Sequence, residues 1–206
     1  MTSAVPAAPI RVAVLASGGG TNLQALLDAL QGPAPARVTR VIADRPDAGA
    51  LDRARRAGVP TTVLANPNDP AEFLAAVGDA QLVVLAGYLK LVPPSAVARY
   101  RHRMINIHPA LLPGFGGRGM YGKRVHAAVL ASGTNQSGAT VHYVDEQYDR
   151  GPIIAQQSVP VLPGDSPETL AARVLEAEHR LLPAVVLELA RRGAPQEPVR
   201  LEIGEG

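Results

Sequence analysis

The sequence contains no cysteine and no tryptophan. Zero cysteines exclude disulfides, thiolate metal sites, iron–sulfur clusters and a cysteine nucleophile. Aromatic residues make up only 3% of the chain, too few to build stacking platforms for single-stranded nucleic acid. Apolar runs are short, Leu82–Ala86 being typical, whereas a membrane span needs ~20 residues. The opening stretch MTSAVPAAPIRVAVLASGGG has neither a basic region nor a long apolar one, so it does not read as a secretory signal. A soluble, cytoplasmic protein with no membrane partner is the expectation. Neither sign of charge dominates, with 20 Lys+Arg against 18 Asp+Glu. The densest basic group, RARR at Arg53–Arg56, reads as a solvated helix face rather than a nucleic-acid patch. No nucleic-acid partner is expected.

What is present is a core. The 206 residues are 47% hydrophobic, enough for one domain at about 100–200 residues each. A chain of this size buries roughly 70% of its unfolded surface and needs no covalent staples. Loose tails are expected at 1–10 and 193–206, with Val199–Ile203 adding one strand, around a domain spanning 11–192.

Strand and helix patterns alternate. Arg11–Ala16 is a β-branched apolar run that stops at Ser-Gly-Gly-Gly and reads as a buried strand. Leu23, Leu26, Leu27 and Leu30 then mark one face of a helix, ended by Gly32 and Pro33. Further strands are expected at Val38–Ala43, Pro60–Leu64, Leu82–Ala86, Met104–Ile107, Ala139–Val144 and Ile153–Val159. Further helices are expected at Leu51–Ala57, Ala71–Val77 with Asp69 as cap, Pro94–Tyr100 and Val125–Leu130. A long helix capped by Ser166 contains Pro183, which predicts a kink. Pro109–Gly122 is too rich in glycine for any regular element, and loops of that length inside compact domains are usually functional. The order βαβα with apolar strands means an α/β fold with a mostly parallel sheet. Ligands bind such sheets beyond the carboxyl ends of the strands.

Three groups of residues lie on those ends. Ser17–Asn22 (SGGGTN) joins a strand to a helix, and its glycines with the free N–H groups of the helix start suit an anion. A dinucleotide fingerprint starts correctly at Gly18 and Gly20, and Asp44 imitates the acid on a cofactor ribose, but the third glycine falls on Leu23. Asn106 and His108, two apart on an extended segment, project to one side. An amide donor beside an imidazole suits a developing oxyanion and a proton transfer. Asp145, Glu146 and Asp149 follow a strand that carries His142. A carboxylate near an imidazole raises its pKa. A metal held by His108, His142 and Asp149 is the rival reading, although no local ligand spacing is present. His102, His126 and His179 have no obvious companions.

Four segments, VAVLASGGGTNLQALL, VVLAGYLKLV, MINIHPALLP and TVHYVDEQYDRGPI, in this order and spacing, resemble the folate-dependent formyltransferases. The resemblance runs from Arg11 to Arg192 and is strongest to the members that act on glycinamide ribonucleotide. It implies a Rossmann-like single domain with a mostly parallel twisted sheet and helices on both faces. It implies direct transfer of the formyl group of 10-formyltetrahydrofolate to the primary amine of glycinamide ribonucleotide in purine (IMP) biosynthesis, through a tetrahedral intermediate, by a monomer or homodimer without a metal. Asn106, His108 and Asp149 match the family's catalytic residues, with His142 supporting the Asp. Gly19, Gly20, Thr21 and Asn22 match the phosphate positions, and Glu178 matches an acid on the ribose. Leu89, Lys90, Leu91 and Val92 match the folate pocket, together with Asn106, Asp145, Glu146 and Asp149. His108 would act protonated, stabilising the oxyanion. Asp149 would also position a proton-relaying water.

The chain departs from the family in three places. GFGGRGMYGKRVH replaces the usual stretch after HPALLP, Arg150 stands where a small residue is common, and Pro70 falls where many members carry a folate-contacting Arg. Arg150 would compete for Asp149 or pair with the folate's glutamate tail. Related readings are a hydrolase of the formyl donor, a different amine acceptor, and a nucleotide-binding module without catalysis. Longer members carry additional tRNA-binding or regulatory domains that this sequence is not expected to contain.

Overall fold

The computed structural model describes residues 8–202. Seven strands form one sheet in the order β3-β2-β1-β4-β5-β6-β7. The elements are β1 (Ile10–Ala16), α1 (Thr21–Ala29), β2 (Ala36–Ala43), α2 (Gly49–Arg56), β3 (Thr61–Val63), α3 (Pro70–Val77) and β4 (Leu82–Leu85). They continue with α4 (Pro94–Arg99), β5 (Met104–His108), α5 (Lys123–Ala131), β6 (Gln136–Tyr143), β7 (Ile153–Pro160) and α6 (Pro167–Arg191). β1 to β5 pair in parallel, and β6 and β7 are antiparallel additions. The α/β, Rossmann-like expectation holds.

Strand periodicity explains the two layers. Successive side chains alternate between faces. Val12, Val14 and Ala16 of β1 and Val84 of β4 join α1, α5 and α6 in one core, while Ala13, Leu15 and Val83 join Phe73 of α3 and Val97 of α4 in the other. Both faces are therefore covered, as parallel strands require. The chain leaves β1 toward β2 and returns past it to β4. The crevice of this switch point opens between the ends of β1 and β4. Ser17 and Gly87 close its floor: Ser17 N donates to Gly87 O at 3.0 Å, and Leu89 N donates to Ser17 Oγ at 3.0 Å.

Helix starts follow their caps. Asp69 accepts from Ala71 N and Glu72 N, and Ser166 with Thr169 forms a capping box at α6. α6 is assigned as helix from end to end through Pro183. The proline's missing N–H leaves the His179 carbonyl without its usual backbone donor. The strand expected at Val199–Ile203 does not form over 199–202, and Ile203 lies outside the described residues. Pro195 and Pro198 have no N–H to offer a ladder. A single backbone bond, Leu201 N to Ile154 O at 2.7 Å, docks this segment instead.

Candidate active site

The site lies at the carboxyl ends of β1, β4 and β5. A cleft of about 770 Å³ is walled there by Asn22, Tyr88, Asn106, His108, His126 and Glu178, with the 117–124 segment across its front. A smaller recess behind it is lined by Leu85, Lys90, Leu91, Val92, Val144 and Asp145. Tyr88, Asn106, Tyr148 and Asp149 belong to both spaces and form the wall between them.

β5 delivers Asn106 and His108 on one side, as their spacing predicts. Antiparallel pairing sets His142 of β6 opposite Asn106. Asp149 reaches the pair from the turn after β6, in the left-handed region at φ 56°. Its carboxylate accepts from Gly117 N at 2.9 Å and stands 3.6 Å from both His108 Nδ1 and His142 Nε2. The loop after His108 is held from below. Thr140 Oγ1 donates to Ala110 O at 2.7 Å and accepts from Leu112 N, while Gln156 Nε2 donates to Leu112 O. That anchoring places the Phe115 carbonyl 2.8 Å from His108 Nε2. Gly116 has no side chain because one would meet Leu112 Cδ2 at 2.5 Å and Asp149 Cβ at 2.9 Å.

Hydrogen-bond chemistry fixes the protons. The Phe115 carbonyl only accepts, so His108 Nε2 carries a hydrogen. The Tyr143 carbonyl likewise takes the hydrogen of His142 Nδ1 at 2.8 Å. His142 Nε2 is then the acceptor for Asn106 Nδ2 at 3.0 Å. His142 thus orients the Asn106 amide. Its Nε2 also stands 3.6 Å from the Asp149 carboxylate, where it helps to lower that group's pKa.

Burial and neighbouring groups pull the pKa values in opposite directions. His108 is 3% exposed. Desolvation lowers its pKa below the ordinary histidine value, against the raising effects of Asp149 and the Phe115 carbonyl. Asp149 favours the imidazolium and burial favours the neutral imidazole, burial being the larger influence. Burial also pushes the Asp149 carboxyl up, yet the imidazoles of His142 and His108 and the Gly117 N–H hold it below its usual range. Glu178, buried on α6, is raised by desolvation to about 7 against an opposing hydrogen bond with Asn22.

At the other end of the cleft, α1 begins at the glycine loop. Its N-cap is Gly20 at φ 73°, with no side-chain cap and no acid in the first turn. The first-turn N–H groups are left to an anion. Asn22 lines the cleft, while Gly19, Gly20 and Thr21 form the loop beside it and are not among its lining residues. Asp44 does not reach the cleft; its carboxylate is enclosed beside Arg45 at 3.8 Å.

The remaining sequence candidates divide. Leu89 lines the cleft, and Lys90, Leu91, Val92 and Asp145 line the recess. Glu146 lines neither and pairs outward with Arg101 at 3.5 Å. Arg150 makes no ion pair with Asp149 among the described residues. His108, His142 and Asp149 converge, but no group of three among the described residues has the geometry of a metal site. Sequence reasoning missed Tyr88, Tyr148, Gly117 and His126. His126 is 4% exposed on α5, and both burial and the nearby His108 lower its pKa.

An uncapped helix start and an amide–imidazole–carboxylate group thus face one cleft at the carboxyl ends of the strands. The chain belongs to the formyl transferase family, whose sequence model matches residues 10–186. It is 43% identical over 196 residues to the phosphoribosylglycinamide formyltransferase of Mycobacterium tuberculosis, covering 91% of this chain and 88% of that one. The chloroplastic enzyme of the same name from Vigna unguiculata is 42% identical over 185 residues, covering 85% of this chain. The chain spans 59% of that relative's length. The crystal structure of glycinamide ribonucleotide transformylase 1 from Symbiobacterium toebii superposes with a TM-score of 0.81 at 44% identity, covering 89% of each chain.

Proposed function

We propose that the protein transfers the formyl group of 10-formyltetrahydrofolate to the amine of glycinamide ribonucleotide. The observation that carries this reading is the shared wall. Asn106 and Asp149 face both the cleft that contains Asn22 and Glu178 and the recess lined by Leu91 and Val92. Two ligands entering from the two sides meet at the amide, the imidazole and the carboxylate. The ribonucleotide takes the cleft, with its phosphate on the α1 start at Gly19–Asn22 and its ribose on Glu178. The folate ring takes the recess between Leu89–Val92 and Asp145, with its formyl nitrogen toward Asn106. Glu146, turned outward to Arg101, has no part in this assignment.

The chemistry follows from the charge states. The substrate amine nitrogen forms a bond to the formyl carbon. Asn106 donates to the oxygen that becomes negative, a contribution typically worth ~10²–10³ in rate. Neutral His108 accepts the proton that the new ammonium loses. Asp149 stabilises the resulting imidazolium across the 3.6 Å gap and holds the water that relays the proton. The bond from the formyl carbon to the folate nitrogen breaks as that nitrogen receives the proton. Atoms and charge balance without a metal or a covalent enzyme intermediate. A cytoplasmic location and a monomeric or homodimeric state complete the reading.

A spectrophotometric assay tests it. Loss of donor that requires glycinamide ribonucleotide, and that disappears in His108→Ala, is the expected result. Donor loss without the ribonucleotide would mean a hydrolase, and no turnover would leave a binding module.

A further inference from the structure

The basic run at Arg53–Arg56 does not form one solvated face. Arg55 pairs with Asp52 at 2.8 Å, and Arg56 donates to the Asp52 carbonyl at 3.2 Å. Arg53 turns the other way. Its Nε donates to the Gly19 carbonyl at 2.7 Å, and its Nη1 donates to Gln24 Oε1 at 3.3 Å. The guanidinium thus spans from the glycine loop to the first turn of α1.

The first turn of α2 presses on the same loop. Ala50 N donates to the Gly18 carbonyl at 3.1 Å. A side chain on Gly20 would lie 2.6 Å from Ala50 Cα, and one on Gly49 would lie 3.3 Å from Gly19 Cα. The loop and the start of α2 are therefore packed backbone against backbone. Ser17–Asn22 contains no charged residue, so the cation beside it comes from α2. The same charge reaches across to α6, where burial and then Arg53 disfavour protonation of His179.

We propose that Arg53 is a positioning residue of the phosphate site: it fixes the direction of the α1-start N–H groups by holding Gly19 and Gln24, and supplies the loop's positive charge. This rests on the ribonucleotide reading given above. A rigid planar fork with donors at two angles does this, whereas a lysine ammonium is a flexible point charge without that fixed geometry.

The test compares wild type, Arg53→Met and Arg53→Lys with two amine substrates, glycinamide ribonucleotide and its dephosphorylated riboside. For the ribonucleotide, Arg53→Met is expected to raise KM about tenfold, the scale of one charge-assisted hydrogen bond. Both kcat and the KM for the folate donor stay within about twofold. For the riboside, kcat/KM is unchanged, because the site it lacks is the one disturbed. Arg53→Lys recovers less than half of the loss. Equal losses with both substrates, a fall in kcat at constant KM, or full activity in both variants would overturn the proposal. A wild type that ignores the ribonucleotide would refute the functional reading itself and leave the phosphate test to ribose 5-phosphate binding by calorimetry. That binding is expected to weaken in Arg53→Met, and equal binding would again overturn the role of Arg53.

Discussion

Asp149 Oδ2 lies 3.6 Å from Nδ1 of His108, and its carboxylate is fixed by the Gly117 N–H at 2.9 Å. The imidazole is close enough to feel the charge, while its burial lowers its pKa. In an NMR titration, His108 is expected to titrate below the ordinary value of about 6.5. Asp149→Asn removes the raising influence and should move it lower still. A His108 titration above that value would contradict the burial argument. The same shift carries a stability sign. A folded pKa below the unfolded one means that the unfolded chain takes up its proton first. His108 therefore contributes to loss of stability as the pH falls from about 6.5 toward its folded value.

Asn106 and His142 form a second pair, 3.0 Å apart. Asn106→Ala should reduce kcat by ~10²–10³, the cost of losing an oxyanion donor. His142→Ala leaves the amide held only by its 3.5 Å bond to Asp149 Oδ1, so kcat should fall less, by about tenfold, with the ribonucleotide KM unchanged. A larger loss in His142→Ala than in Asn106→Ala would show that His142 acts on something other than the amide.

Gly116 tests the loop. An added methyl group would meet Asp149 Cβ at 2.9 Å and Leu112 Cδ2 at 2.5 Å. The leucine methyl can move, but Asp149 is held by its backbone. Gly116→Ala should therefore lower kcat at least tenfold, since small displacements of positioned groups cost about that much or more. Circular dichroism should show the fold retained, and wild-type turnover would mean that the loop absorbs the methyl without moving the carboxylate.

Glu178 sets stability against binding. Burial lifts its pKa from the ordinary glutamate value of 4.5 to about 7. A raised folded pKa gives stability that is complete below the unfolded value and is lost as the pH rises through about 7. Glu178→Gln copies the neutral form. Its Tm should exceed that of wild type at pH values above about 7 and match it below about 4.5, while the ribonucleotide KM rises. A Tm gain confined to acid would reverse the sign and refute the assignment.

The sheet was readable because β1 and β4 are continuous apolar runs, and Asn106 with His108 because strand spacing puts them on one side. Other features needed the third dimension. The Phe115 carbonyl and Gly117 N–H are backbone groups of a glycine-rich loop, where no side chain announces their role. His126 comes to the same cleft wall as His108 only through the placement of α5. The competition between burial and Asp149 at His108 has no sequence signature. Glu146 sits next to Asp145 in sequence, but the turn sends it outward to Arg101. RARR reads as one patch until α2 is placed against the glycine loop and Arg53 alone turns inward.

The central claim is that two ligands meet at Asn106, His108 and Asp149 and exchange a formyl group. Following the carbon label by NMR after mixing protein, formyl-labelled 10-formyltetrahydrofolate and glycinamide ribonucleotide tests it directly. The account predicts that the label appears on the ribonucleotide nitrogen. Label released as formate, or left on the folate, would contradict it.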